Sequence, residues 1–312
     1  MRSFLGVAIL ASSQPLALAK EDGLFKDKPQ ELDGALSQFA DQLGKRAKSM
    51  GKRGKYAEVL FEELQKGDEQ ARLDLYTRAH EGDDYARTII GWMFDNGYHA
   101  AVNSAQAAQM FIQAAPEIPL ANYNLGVLFL HGRGVVLNER RAMGYFNEAD
   151  RIGPAFVQLA DFALRENKGN TALHFAETAA KLKDPAGMYI YGRLLLEKGE
   201  DKEGARYISQ SASKNHPKAV ASMVVIYEKG MGVSADPGMA AGWWIVDQVL
   251  NGKQLQQRSE EAMARFSLSD SDKSKALRFS RKWLLNRTAL APFDYTKTLN
   301  FQDLKGAGPR LL

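Results

Sequence analysis

Cysteine is absent from all 312 residues. That excludes a disulfide framework, a Cys-ligated metal and a cysteine nucleophile. Histidine is scarce: His80, His99, His131, His174 and His216 are the whole set. No two stand at i and i+4, and none joins an H-E-x-x-H pattern, so a zincin-type site has no ligand pair. No G-x-S-x-G elbow is present either. A large excess of one charge is missing too. Lys plus Arg number 41 and Asp plus Glu 37, for a formal net charge of +4, too weak a surplus to argue for nucleic acid. No stretch reaches the ~18 continuous apolar residues of a transmembrane helix.

The N-terminus carries a pattern of its own. Arg2 is a short positive region, Phe4 to Ala11 an apolar one, and Ala17-Leu18-Ala19 an A-x-A cleavage site. This order predicts a secretory signal peptide over residues 1–19. Residues 20–55 then read as an N-terminal extension ending in KRAKSMGKRGK, with six basic residues and no acid. Lys45, Arg46, Lys52 and Arg53 are candidates for contact with an anionic envelope surface or an acidic partner, against the plainer reading of a solvated linker.

Residues 124–146, NLGVLFLHGRGVVLNERRAMGYF, look at first like a phosphate loop. A phosphate loop needs a strand before its glycines and, in the Walker form, a Lys-Ser/Thr pair after them. Here the preceding residues keep helical period, Arg133 lies between two glycines, and Val135-Val136-Leu137 follow. No nucleotide, metal or other cofactor is expected.

The same stretch is one copy of a repeat. Small residues recur at Ala86, Ala121, Ala155, Gly187 and Ala219, spaced by 35, 34, 32 and 32 residues. Four positions after each stands a large apolar residue: Ile90, Leu125, Leu159, Tyr191 and Met223. A second amphipathic element follows, with bulky pairs such as Tyr145-Phe146 and Trp243-Trp244. Asn138, Asn170, Asp201 and Asp236 stand where the second helix should begin and suit an N-cap. Pro154, Pro185 and Pro217 fall where one unit ends and the next starts. Each unit is therefore a helix–turn–helix of tetratricopeptide size, and the fold class is all-α, an α/α solenoid.

These features resemble the Sel1-like repeats, a branch of the tetratricopeptide superfamily. The resemblance is carried by Ala121, Leu125, Gly126, Phe129, Gly132, Gly134, Val135, Ala142, Tyr145, Phe146 and Ala149, and again by Tyr227, Gly230, Gly232, Val233, Asp236, Trp243 and Trp244. Gly192 keeps the helix glycine in a unit that lacks the G-x-G turn, and Val224 replaces it in another. Five units span 85–250. A degenerate unit is expected over 56–84, capping helices over 251–290 and a flexible tail over 291–312, which holds two prolines and two glycines.

The resemblance implies a right-handed superhelix whose concave surface binds a protein or peptide. Exposed polar positions on a first helix, Asn122 and Asn124, are the candidate partner-binding residues. Gly126 is expected to let two helices approach, and Gly132 and Gly134 to end a helix through positive φ. The functional expectation is a non-catalytic protein–protein interaction scaffold, exported and periplasmic. A secreted factor that engages another cell, or a hydrolase of a wall polymer or β-lactam, are the alternatives.

Overall fold

The computed structural model describes residues 55–285 and 294–305, among which fifteen helices and no strand are found. The signal-peptide and N-terminal-extension expectations, including Lys45, Arg46, Lys52 and Arg53, lie outside the described residues. The described residues fall into two compact units.

The first unit holds α1 (Lys55–Gln65), α2 (Glu69–His80), α3 (Asp84–Asn96), α4 (Ser104–Ala114), α5 (Pro119–His131) and α6 (Glu139–Glu148), together with residues 296–305, which include α15 (Phe301–Lys305). The second holds α7 (Gly153–Arg165), α8 (Gly169–Lys181), α9 (Pro185–Glu197), α10 (Asp201–Ser213), α11 (Pro217–Lys229), α12 (Pro237–Leu250), α13 (Leu255–Phe266) and α14 (Asp270–Leu285). In both, helices consecutive in sequence pack as pairs, and α14 lies against α12. Residues 56–84, where a degenerate unit is expected, hold α1 and α2, and the described part of 251–290, where capping helices are expected, holds α13 and α14.

Small residues let the pairs close up. A Cβ placed on Gly126 would stand 2.5 Å from the Phe146 ring, and one on Gly91 would stand 2.6 Å from Phe111. Both phenyl rings are fully buried. The bulky side chain on the second helix therefore occupies the volume that the first helix leaves empty, which is how close-packed interiors avoid voids. Gly192 meets the Gly204 carbonyl and Ile208 in the same way. The repeat-opening residues Ala86, Ala121, Ala155 and Ala219 are all fully buried.

Two kinds of turn join the helices within a unit. Residues 97–103, 132–138 and 230–236 form long turns of seven residues, whereas 166–168 and 198–200 are short turns of three. In the long turns Gly97, Gly132 and Gly230 end the first helix in the left-handed region, at φ 67°, 65° and 70°. Gly134 is also left-handed, as expected, and a Cβ there would fall 2.2 Å from the Ser104 carbonyl carbon at the start of α4. Gly232 stands equally close to Asp201 at the start of α10. Thus the second glycine of the G-x-G sits against the main chain of the preceding repeat, where no side chain fits.

The capping expectations divide along the same line. Asn138 and Asp236 cap α6 and α12 by accepting from the Arg141 and Met239 N–H groups. Asn170 and Asp201 do not cap. Each lies inside the first turn of its helix, behind Lys168 and Glu200, which make no side-chain cap. The reason is the short turn: it returns the chain sooner, and the second helix begins earlier. Pro185 and Pro217 are the first residues of α9 and α11, where a missing N–H costs nothing.

The tail expected to be flexible over 291–312 is partly built into the fold. Residues 296 and 297 form a turn and a bend, residues 298–300 have no regular secondary structure, and Thr298, Leu299 and Asn300 are buried in the first unit.

Candidate interaction site

The site forms on the first helices of two repeats, α3 and α5. Asn124 is completely buried, one of the few uncharged polar side chains so placed. Its amide N–H donates to the Leu299 carbonyl at 2.9 Å, and its carbonyl accepts from the Leu299 N–H at 2.8 Å. One carboxamide thus pairs with both main-chain groups of one residue, as a neighbouring β-strand would. Such a contact satisfies two buried backbone groups and two buried side-chain groups at once, and it is indifferent to the side chain it holds.

A charged cluster lies beside it. The Asp95 carboxylate, on the last turn of α3, is wholly buried. It accepts from Ser104 Oγ at 2.8 Å and from Thr298 Oγ1 at 2.7 Å, and it pairs with the Arg133 guanidinium at 3.0 Å. A carboxylate away from water needs this number of partners to remain in the fold. Asn96 donates to Thr298 Oγ1 at 3.0 Å, so the hydroxyl is held from both sides. A second Arg133 nitrogen donates to the Thr296 carbonyl at 3.2 Å. Arg133 is the residue between the glycines of the α5–α6 turn. Farther along, Phe301 stacks on Tyr85 with ring centroids 5.2 Å apart, and Gln302 bonds Gln65 at the end of α1. Asn300 caps α15 by accepting from the Gln302 N–H. Burial raises the Asp303 carboxyl above its ordinary range, against the opposing Asn300 N–H.

Asn122 and Asn124, paired as partner-binding candidates, do not act together. Two residues apart on a helix, they face different ways. Asn122 is also buried, and its amide donates to the Ala115 carbonyl at 2.7 Å, closing an open end group of α4. Asn124 alone of the two meets the main chain of residues 296–301. Arg133, Asp95 and Asn96 are the residues that the sequence pattern did not single out.

Within the second unit, Gln158 donates to the Tyr295 carbonyl at 3.2 Å, and the Tyr295 hydroxyl donates to Asp184 at 2.8 Å. Burial raises the Asp184 carboxyl, while the Gly187 N–H and the tyrosine hydroxyl pull against it. Gln158 stands three residues after Ala155, as Asn124 stands three after Ala121. The same repeat position thus bonds main chain in both units.

The remaining motif residues serve packing. Trp243 is buried against Phe279 and Trp283, and Trp244 is half-buried beside Phe266. Tyr145 stacks on Phe129, with 17° between the ring planes. Tyr227 and Leu125 lie in apolar cores. Among the described residues no group of three or more His, Asp or Glu is arranged to hold a metal ion, and no helix is long and apolar enough to cross a membrane.

Two solved structures share this arrangement of helix pairs. One is a Sel1 repeat protein from Oxalobacter formigenes, with 20% identity and a TM-score of 0.58, covering 77% of this chain and 100% of that one. This chain has a Sel1-like repeat fold. The other is a protective antigen of uropathogenic Escherichia coli that displays an SLR fold, with 18% identity and a TM-score of 0.60. It covers 72% of this chain, and the match spans about half of the antigen, 53%. No protein-family model and no curated protein matches the sequence. At such identities the likeness concerns the fold, and the Sel1-like repeats are recognisable through the glycine and aromatic positions described above.

Proposed function

We propose that the chain is a non-catalytic protein-interaction scaffold, exported to the bacterial periplasm and acting there in regulation, secretion or envelope assembly. The observation that carries this reading is the clasp of Asn124 on the main chain of Leu299. A buried carboxamide aimed at both backbone groups of one residue is a device for holding polypeptide, and it has no counterpart in acid–base or nucleophilic chemistry. The Sel1-like repeat fold supports the reading, because stacked helix pairs offer long rows of side chains to a partner. The signal-peptide pattern read in residues 1–19 of the sequence supports the compartment, and the basic run at Lys45–Lys55 supports contact with an anionic surface there.

The test is photo-cross-linking in the native cell from a probe placed at Tyr85, followed by mass spectrometry, together with fractionation of the envelope. The expected result is a periplasmic chain joined to a defined protein, with the cross-link reduced by Asn124→Ala. A chain joined to no protein, or found in the cytoplasm, removes the reading.

A further inference from the structure

The groups that hold residues 296–301 would hold the same pattern of residues in another polypeptide. Asn124 reads main chain only. Asp95 and Asn96 together read a hydroxyl one residue earlier, and the Thr298 side chain meets both. The following aliphatic side chain, Leu299, is buried at 5% exposure. Two positions later an aromatic ring stacks on Tyr85. Arg133 fixes a carbonyl at the other end. The segment runs from α5 towards α1, opposite to the order of the helices. This is a division of labour found in peptide recognition, with main-chain bonds for grip and a few side-chain positions for choice.

What sets this occupant apart is its tether. Being part of the same chain, it faces the site at an effective concentration that a tether sets on the order of millimolar. A free partner must displace it, and the apparent affinity of the site falls by the fraction of time it is closed.

We propose that this surface of α3 and α5 is the partner-binding site and that Thr296–Phe301 is its resident competitor. The partner it takes is an extended protein segment in which a hydroxyl residue precedes an aliphatic one and an aromatic follows two positions later. The proposal rests on the interaction-scaffold reading above and adds its regulation: the chain binds when its own segment leaves.

The experiment uses the full-length protein and a fluorescent synthetic peptide of residues 295–305, YTKTLNFQDLK, followed by fluorescence anisotropy. Wild type should take up the peptide weakly. Leu299→Pro removes the N–H that donates to Asn124 while favouring an extended residue before it. It should raise peptide affinity at least about tenfold, the value of one well-made buried hydrogen bond. Adding Asn124→Ala should abolish the gain. If the folded Leu299→Pro protein takes up peptide no better than wild type, or if Asn124→Ala leaves its uptake unchanged, the segment is a fixed strap and the proposal fails. Circular dichroism establishes folding. Should Leu299→Pro unfold the chain, Thr298→Ala keeps both Asn124 bonds and loses only the hydroxyl, so affinity should rise about threefold; no rise overturns the proposal. Peptide uptake without any cross-linked envelope protein would remove the scaffold reading and leave the site standing. A cross-linked partner indifferent to both Asn124→Ala and Leu299→Pro would do the reverse.

Discussion

The repeats with long turns and those with short turns pack in the same way yet display different things. In each long turn the middle residue of the first three projects beside the end of the first helix. Tyr98 packs on Phe61 and Trp92, and Met231 joins the apolar cluster around Trp243. Arg133 instead pairs with Asp95 and bonds the Thr296 carbonyl. The short turns close on Asn167 at φ 57° and Gly199 at φ 81°, and present no such side chain. A short turn only reverses direction. A long turn also places one side chain at the margin of the first-helix surface, and the residue chosen there decides whether that margin is apolar or can bind.

Gly134→Ala should have the largest effect on stability. It forces a left-handed alanine at about 1–2 kcal/mol and sets a Cβ against the Ser104 main chain, with overpacking of roughly 1–3 kcal/mol. Gly199→Ala in a short turn meets no atom within 4 Å and should cost only the first of these. Equal denaturation midpoints for the two would break the distinction between turns.

Gly126→Leu should cost roughly 1–3 kcal/mol, because its first side-chain atom already collides with Phe146. Gly144 lies on the partner helix α6 with open space around it. Gly144→Ala should stabilise by about 0.5–1 kcal/mol through helix propensity. Thermal unfolding of the pair separates packing from backbone freedom, and a loss at both positions would contradict the packing assignment.

Asn138→Ala removes a long-turn cap and should cost about 1 kcal/mol. Asn170→Ala, behind a short turn, should be close to neutral, since that side chain caps nothing. Chemical denaturation of the two would erase the contrast if the losses matched.

The last effect is nil at neutral pH and appears only on acidification. His216 caps α11 by accepting from the Ala219 N–H, and burial, aided by Lys218, lowers its pKa to about 4. The unfolded chain takes up that proton near the usual 6.5, so between these values the unfolded state binds more protons. His216 therefore leaves stability intact above about pH 6.5 and erodes it as pH falls towards 4. His216→Asn, which keeps an acceptor, should flatten the dependence of the melting temperature on pH in that window. An unchanged slope would show that other groups govern it.

The helix pairs were legible in the sequence because their contacts depend on side-chain size. Gly126 facing Phe146 and Gly91 facing Phe111 are steric requirements, and each leaves a residue type at a fixed spacing. Caps were legible only where a side chain makes them, at Asn138 and Asp236. α8 and α10 begin without one, so Asn170 and Asp201 were misplaced. The site was legible by half. Asn124 stood out as a polar residue on a first helix, but it looked exposed, since its cover comes from 175 residues away. Residues 296–300 have no periodicity, because main chain makes most of their bonds and main chain writes no pattern. Arg133 could have been found: it is the charged member of a set whose other members are Tyr98 and Met231.

That separation along the chain has a consequence in time. At about 5–20 residues per second, a ribosome needs roughly 10–35 s to pass from Asn124 to Leu299. Throughout that interval α3 and α5 can form while the residues that will cover them have not been made. A chain that emerges N-terminus first thus presents Asn124 before Leu299 can cover it.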